Sequence, residues 1–543
     1  LFIQDQLRGS PLLFYAKVLD GLSRDANNLA GVTHQLFGKD IGVGFTALNP
    51  GLTRGVLRVE PDLSRLADFK SDGIYVLPET VSDLPPVAGI LTAGEGNPLS
   101  HVQLLARNLG IPNVTVSTNV IRQLKEYNGQ EIVLAVSRSG LVEIAPSDDR
   151  WNEVFAVADE DEGVVIRPDL EKLDLDVREF LQLDDLRATD SGRTVGPKAA
   201  KLGELRQHYP GRVSRGVAIP FGLFKQQALE RQRPGHSGTV WDWMVATYAD
   251  LEAMPVDSQE RVDATESFRA ELYNTIVATP LGEPFRNGLK TALADAFGAE
   301  TPPGLFVRSD TNVEDLAGFT GAGLNLTLPN VVGLNELLGS ITRVWASPFT
   351  ARAFGWRQSH MTAPEHVYTS ILLLESVASD KSGVLVTQDI DSGDPGVISV
   401  AVNEGLGGAV DGQAAESLRI SLNNADVRVL ATATAPRRRV PNPAGGLTRL
   451  PSSGDDEVLK KGEIAQLIDF AQHLPDRFPP ITDDRGNPAP ADVEFGFLDG
   501  ELRLFQLRPF LDSRQAGGSA YLRQMDSHLK DVHKVRVDLE GTP

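Results

Sequence analysis

Apolar residues recur along this chain at two spacings, and the places where one spacing replaces the other divide it. Leu12-Leu13-Phe14, Val18-Leu19 and Leu22 repeat at close to 3.6 residues, which predicts an amphipathic helix in an N-terminal segment, residues 1–51. Short β-branched or apolar runs follow: Gly55-Val56-Leu57-Arg58-Val59, Gly73-Ile74-Tyr75-Val76-Leu77, Ala88-Gly89-Ile90-Leu91, Val114-Thr115-Val116 and Glu131-Ile132-Val133-Leu134-Ala135-Val136. Bounded by Pro, Gly and Asp, they predict a compact strand-rich domain over 52–146. Residues 147–190 hold Asp148-Asp149 and Asp159-Glu160-Asp161-Glu162 with few apolar runs, the pattern of a solvated acidic linker. A large domain spans 191–512. Within it 233–300 reads as helical, with Trp241, Trp243, Met244 and Tyr248 in its core, and 371–375 with 383–387 as paired buried strands. Residues 513–543 read as a loose tail ending in a helix.

One stretch departs from packing alone. A glycine-bearing turn, Gly94-Glu95-Gly96-Asn97-Pro98-Leu99-Ser100, runs into His101, after which Val102, Leu105 and Leu109 keep helical spacing until Gly110 and Pro112 stop it. Asn97 or Ser100 is placed to accept a hydrogen bond from the free N–H groups of the first turn. His101 then stands at the positive end of a helix, where N–H donors meet any phosphoryl group its ring accepts.

The large domain offers three further features. Gly196-Pro197-Lys198 turns into an Ala/Leu-rich helix, placing Lys198 near a helix start. Arg308 leaves an apolar run just before a loop containing Gly318, Gly321 and Gly323, an arrangement in which a guanidinium forks onto phosphate oxygens while backbone N–H groups close over them. Near the end, residues 491–509 form a hairpin turning at Asp499-Gly500. Side chains alternate along a strand, so a two-residue turn puts Glu494 and Gln506 on opposite faces; sharing one ion requires a three-residue connection or a bulge. The basic run Arg437-Arg438-Arg439 reads as a solvated loop and receives no role, although a polyanionic acceptor could use it.

Composition narrows the chemistry. The formal charge of −21 argues against broad contact with nucleic acid, which requires a basic surface. The chain has no cysteine, so disulfides, thiolate metal sites and a cysteine nucleophile are excluded. No apolar run approaches the roughly 20 residues of a membrane span, and no signal peptide follows Leu1. A cytoplasmic location is expected, or a plastid one if the chain is a plant fragment.

Ser100-His101 with Ala106-Arg107 and Leu109-Gly110-Ile111-Pro112 resembles the phosphohistidine motif of the dikinase families, which include pyruvate phosphate dikinase, phosphoenolpyruvate synthase and the glucan water dikinases. Val195-Gly196-Pro197-Lys198-Ala199-Ala200-Lys201-Leu202 resembles the opening of their nucleotide-binding domain, whose fold is related to ATP-grasp, and Lys198 falls on the family's phosphate-binding lysine. The string 305–324 resembles the dikinase phosphate loop, with Arg308, Gly321 and Gly323. Glu375 falls where the family lines its nucleotide pocket, although the residues alone leave it equally a solvent-exposed strand end. Asn403-Glu404-Gly405-Leu406-Gly407-Gly408 matches the loop beside the phosphates. In the family pattern Glu494 and Gln506 are magnesium ligands, consistent with the oxygen donors a hard cation requires, and Arg508 is a further phosphate contact.

The order, phosphohistidine domain before nucleotide domain, is similar to that of glucan water dikinases. The resemblance therefore implies a multidomain α/β protein in which a swivelling phosphohistidine domain accompanies an ATP-grasp-like domain. It further implies ATP with Mg2+, catalytic roles for His101, Lys198 and Arg308, transfer of the β-phosphoryl group of ATP to His101 and of the γ-phosphoryl group to water, and an α-glucan hydroxyl as final acceptor. Two alternatives stay open: a dikinase acting on a small molecule such as pyruvate or an antibiotic, and a non-catalytic nucleotide-binding regulator.

Overall fold

The computed structural model describes Leu22 and residues 32–529 apart from 64–68, 79–83, 94–98, 159–165, 256–257, 299–303, 317–323, 359–360, 412, 414, 456, 484–485, 512–518 and 528. The amphipathic helix expected at 12–22 lies, save for Leu22, outside these residues. Among the described residues no helix is long and apolar enough to cross a membrane.

The protein is a mixed α/β structure with large sheets. Nine strands form the first: β1 (His34–Leu36), β2 (Lys39–Ile41), β3 (Phe45–Asn49), β4 (Gly51–Val59), β5 (Gly73–Leu77), β6 (Gly89–Thr92), β7 (Asn113–Val116), β8 (Glu131–Val136) and β9 (Val142–Pro146). Their order is β2-β1-β9-β8-β4-β5-β6-β7-β3, with β4 to β7 parallel. The runs at 55–59, 73–77, 88–91, 114–116 and 131–136 all fall on its strands. The boundary expected at residue 52 is crossed, because β1, β2 and β3 join this sheet from the segment read as helical. Three to five residues long and punctuated by Gly38 and Gly44, they carry too little alternation to register as strands. Between β6 and β7 the chain crosses over through helix α1 (His101–Leu109), as parallel neighbours require.

A five-stranded antiparallel sheet follows: β10 (Leu181–Gln182), β11 (Gly216–Ile219), β12 (Leu305–Thr311), β13 (Thr327–Val331) and β14 (Thr369–Glu375), ordered β10-β11-β14-β12-β13. Helices Val240–Ala253, Gln259–Val277 and Glu283–Phe297 occupy the stretch read as helical and help bury its core, with Met244 and Tyr248 inside and Trp241 and Trp243 packed against it. A six-stranded antiparallel sheet contains β15 (Lys381–Val386), β16 (Val397–Glu404), β17 (Glu416–Ser421) and β18 (Val427–Ala431). The strands β19 (Arg437–Pro441) and β20 (Leu447–Pro451) make a separate two-stranded arm, and β21 (Ala491–Leu498) with β22 (Glu501–Pro509) completes the six-stranded sheet beside β15. Helix α2 (Pro197–His208) shares a second core with residues of both antiparallel sheets, through Ala199, Ala200, Leu202, Leu372, Leu385 and Leu504.

Residues 147–190 are not the solvated linker their charge predicts. Helix Arg150–Ala158 buries Trp151, Ile166 pairs with Met361, and Leu183 and Leu186 are buried while Leu173, Leu175 and Phe180 pack on the core. An apolar residue every few positions suffices to pin an acidic segment down. In the expected tail, helix Ala520–Asp526 sets the Tyr521 ring 4.9 Å from Trp151, so it packs on the first sheet's flank.

Candidate nucleotide and phosphoryl-transfer site

A pocket opens where the end of α1 meets the two antiparallel sheets, and His101, Lys198, Arg308, Glu494, Gln506 and Arg508 all line it. His101 is the first residue of α1; Ser100 takes the N-cap position but makes no side-chain cap bond, and Asn97 lies outside the described residues. Gly110 ends the helix at φ +70°, where glycine carries no Cβ penalty. The His101 N–H donates to the Val410 carbonyl at 3.0 Å, and its Nε2 stands 3.4 Å from Glu494 Oε1. Leu99 and Leu104 pack against Val384, Val386, Ala409 and Phe510 of the opposing side, and Arg107 donates to the carbonyls of Ile390 and Leu48, both at 3.0 Å. α1 is thus docked on the six-stranded sheet with its histidine facing into the pocket.

Lys198 is the second residue of α2, and its Nζ is paired with Glu314. The helix start itself is occupied. Asp310, from β12, accepts the N–H groups of Lys198 at 2.8 Å and Ala199 at 2.9 Å. Lys198 does stand at a helix start as expected, but two of the free amides there are taken by Asp310. Burial pushes the Asp310 carboxyl up to about 7, with Lys198 opposing and Glu314 adding to the shift.

Arg308 points from β12 across to the hairpin. Its Nη1 donates to the Phe505 carbonyl at 2.6 Å, and its Nη2 to Gln506 Oε1 at 2.7 Å and Glu494 Oε2 at 3.2 Å. The hairpin meets the geometric condition that alternation imposes. Its turn has two residues, with Leu498 opposite Glu501, and a bulge between Glu494 and Phe495 lets Glu494 face Gln506 while Phe495 faces Leu504. Phe505 is the extra residue, and the two oxygen-bearing side chains come to the same face. Asp492 and Arg508 pair one step further along, with Arg508 Nε 2.6 Å from Asp492 Oδ2. Burial works to raise the Glu494 carboxyl, but the hydrogen bond to His101 and the charges of Arg308, His101 and Arg508 outweigh it and hold it well below the carboxylate range. Burial raises Asp492 against the pull of Arg508, and it also works against the Arg508 charge, which Asp492, Glu494 and Asp315 nevertheless keep firmly protonated.

The oxygens a hard cation would need are present but converge on a guanidinium: Glu494 Oε2 and Gln506 Oε1 both accept from Arg308 Nη2, while Asp492 Oδ1 is buried with no hydrogen-bond partner. Among the described residues no group of three or more His, Cys, Asp or Glu is placed to hold a metal ion.

Other expected residues stand elsewhere. Glu375 pairs with Arg215 at 3.4 Å at the end of β14 and does not line the pocket, which its neighbour Leu374 does; it is the strand end the residues alone allowed. Glu404 accepts from the Ser453 amide and hydroxyl, and Gly405 spends its N–H on Asp380, so of that loop Gly407 and not these two reaches the pocket wall. Gly321 and Gly323 lie outside the described residues. Conversely, the pocket is lined by Glu314, Asp315, Ser382, Asp411 and Arg439, to which the sequence reading gave no function. Arg439 belongs to β19 rather than to a solvated loop, and its guanidinium pairs with Asp411.

Residues 192–527 match the family described as "Pyruvate phosphate dikinase, AMP/ATP-binding domain". Similar proteins include a rifampicin phosphotransferase of a Streptomyces species, 27% identical over 60% of this chain and 35% of that protein. A probable phosphoenolpyruvate synthase of Methanothermobacter thermautotrophicus is 24% identical over 64% of this chain and 48% of its own length. A phosphoenolpyruvate synthase of Neisseria meningitidis is 28% identical over 63% and 43%. This chain therefore spans less than half of each of these relatives.

Proposed function

The chain belongs to the family of the pyruvate phosphate dikinase AMP/ATP-binding domain, and from that premise we propose that it is an ATP-dependent phosphotransferase working through His101. The observation that carries the reading is the convergence of His101, Lys198, Arg308, Glu494 and Gln506 on one pocket. ATP would lie there with its phosphates against Lys198 and Arg308, and the ring of His101 would take the β-phosphoryl group. The γ-phosphoryl group passes to water, leaving AMP and orthophosphate. Positioning and charge neutralisation are most of what phosphoryl transfer asks of a protein, and a histidine held in the pocket by the docked α1 supplies the first. Glu494 and Gln506 would hold Mg2+, which supplies neutralisation of phosphate charge when bound.

A small molecule is better supported than an α-glucan as the final acceptor. The relatives carry the names rifampicin phosphotransferase and phosphoenolpyruvate synthase, and none of the similarities reported above is to a glucan water dikinase. Transfer onward requires α1 to leave the pocket, so the first sheet is proposed to move as a swivelling domain.

The test is incubation with ATP labelled at the β or the γ position. β-label on His101 with release of AMP is expected, and His101→Ala should abolish both. A chain that binds ATP yet takes up no label would be a nucleotide-binding regulator instead. Offering pyruvate, rifampicin and maltodextrin to the labelled protein then separates the acceptors.

A further inference from the structure

The glycine turn at 405–408 reaches the pocket through Leu406 and Gly407, yet three of its backbone donors are already bonded within the protein. The Gly405 N–H donates to the Asp380 carbonyl at 2.7 Å, Leu406 to the Arg439 carbonyl at 3.0 Å, and Gly407 to Ser382 Oγ at 2.9 Å. These three amides are therefore engaged already, and a side chain on this edge is the donor placed to meet an anion. The cation there is Arg439. A Cβ on Gly407 would stand 3.6 Å from Arg439 Nη1, so the guanidinium lies directly over the turn.

The arm that carries it is fixed at two points. Midway along β19, Arg439 bridges to Gly405. At its tip, Asn330 Nδ2 donates to the carbonyls of Asn442 at 2.7 Å and Gly446 at 2.8 Å. Arg439 is therefore delivered to the pocket by design of the arm rather than by a wandering loop.

Its present partner is the most exposed of the carboxylates that pair with the site's four Lys and Arg side chains. Asp411 is 40% exposed, whereas Glu314, Glu494 and Asp492, which pair with Lys198, Arg308 and Arg508, are 5%, 14% and 3% exposed. An ion pair open to water contributes little and is readily exchanged, while the guanidinium fork matches phosphate oxygens two at a time. We propose that Arg439 is a phosphate-binding residue of the nucleotide site, which releases Asp411 to engage the phosphates of the bound nucleotide. The proposal rests on the reading of this pocket as an ATP site.

The experiment compares ATP, ADP and adenosine, each with Mg2+, for binding to the full chain by competition against labelled ATP. The proteins are wild type, Arg439→Gln, Arg439→Lys and Asp411→Asn, each checked for an unchanged far-ultraviolet spectrum. Arg439→Gln should weaken ATP and ADP by about tenfold, the size of one charge-assisted hydrogen bond, and leave adenosine unchanged. Arg439→Lys should recover part of the loss, and Asp411→Asn, by removing the competitor, should tighten ATP. Loss of ATP and adenosine alike in Arg439→Gln, or weakening in Asp411→Asn equal to it, would show a pair that only shapes the pocket and would overturn the proposal. Unchanged ATP affinity in a folded Arg439→Gln overturns it alone. A wild-type chain that binds no nucleotide overturns the parent reading as well.

Discussion

Nε2 of His101 and Oε1 of Glu494 lie 3.4 Å apart although 393 residues separate them in the chain. The second oxygen of the same carboxylate takes a hydrogen bond from Arg308 at 3.2 Å, so one side chain ties the ring to the guanidinium. Glu494→Gln keeps the shape and removes the charge. β-Label on His101 should fall by roughly a hundredfold or more, as when a preorganised electrostatic group is lost. Labelling should also require higher Mg2+. Undiminished labelling across a Mg2+ titration would show that the carboxylate takes no part.

Arg107 is one polar tie between α1 and the opposing side, where it reaches the Ile390 carbonyl and stands over the Phe510 ring with its guanidinium carbon 5.8 Å from the ring centre; its bond to the Leu48 carbonyl stays within α1's own sheet. Arg107→Ala should loosen the docked position without unfolding either side. Amide exchange at His101, whose N–H is bonded to Val410, should quicken by about tenfold, the worth of a hydrogen bond made by a charged group. Protection equal to wild type would place the tie elsewhere.

Gly196 owes its identity to space rather than to torsion. Its φ of −78° suits any residue, but a Cβ there would overlap the Asp310 carboxylate that caps α2. Gly196→Ala should therefore cost about 1–3 kcal/mol, the usual penalty for overpacking, and weaken ATP binding through the displaced Lys198. Denaturant unfolding and ATP titration would check both; a neutral substitution would mean that Asp310 moves aside freely.

Asp310 also sets a pH dependence. Its carboxyl is raised from 3.8 to about 7, so the folded chain holds a proton that the unfolded chain has given up. Stability from this group is full below the ordinary carboxylate range and is lost as pH rises through about 7. Denaturant midpoints should fall between pH 5 and pH 8, and the slope should be shallower in Asp310→Asn. An identical slope in the variant would assign it to other groups.

The sequence shows most clearly where a pattern is local. Apolar runs mark the strands from β4 to β8, the helical stop at Gly110 is visible, and Asp499-Gly500 announces the turn between β21 and β22. Alternation even poses the question that the bulge at Phe505 answers, although nothing in the letters 501–509 says which residue is extra. What cannot be read is contact between distant segments. Arg439 looks like any member of a basic run until Gly405 pairs with it, and Asp310 looks like a strand residue until α2 is laid across it. Residues 166–190 misled because their carboxylates outnumber the few apolar anchors that hold them.

Each cation of the pocket brings its own counter-charge: Glu314 for Lys198, Glu494 for Arg308, Asp411 for Arg439 and Asp492 for Arg508. Seen from a distance the cleft is close to neutral, on a chain of formal charge −21. A polyphosphate diffusing inward therefore meets repulsion first and attraction only on arrival. Raising the ionic strength should speed its capture, the reverse of what a cleft with a positive far field would give, and stopped-flow association rates against salt would display the sign.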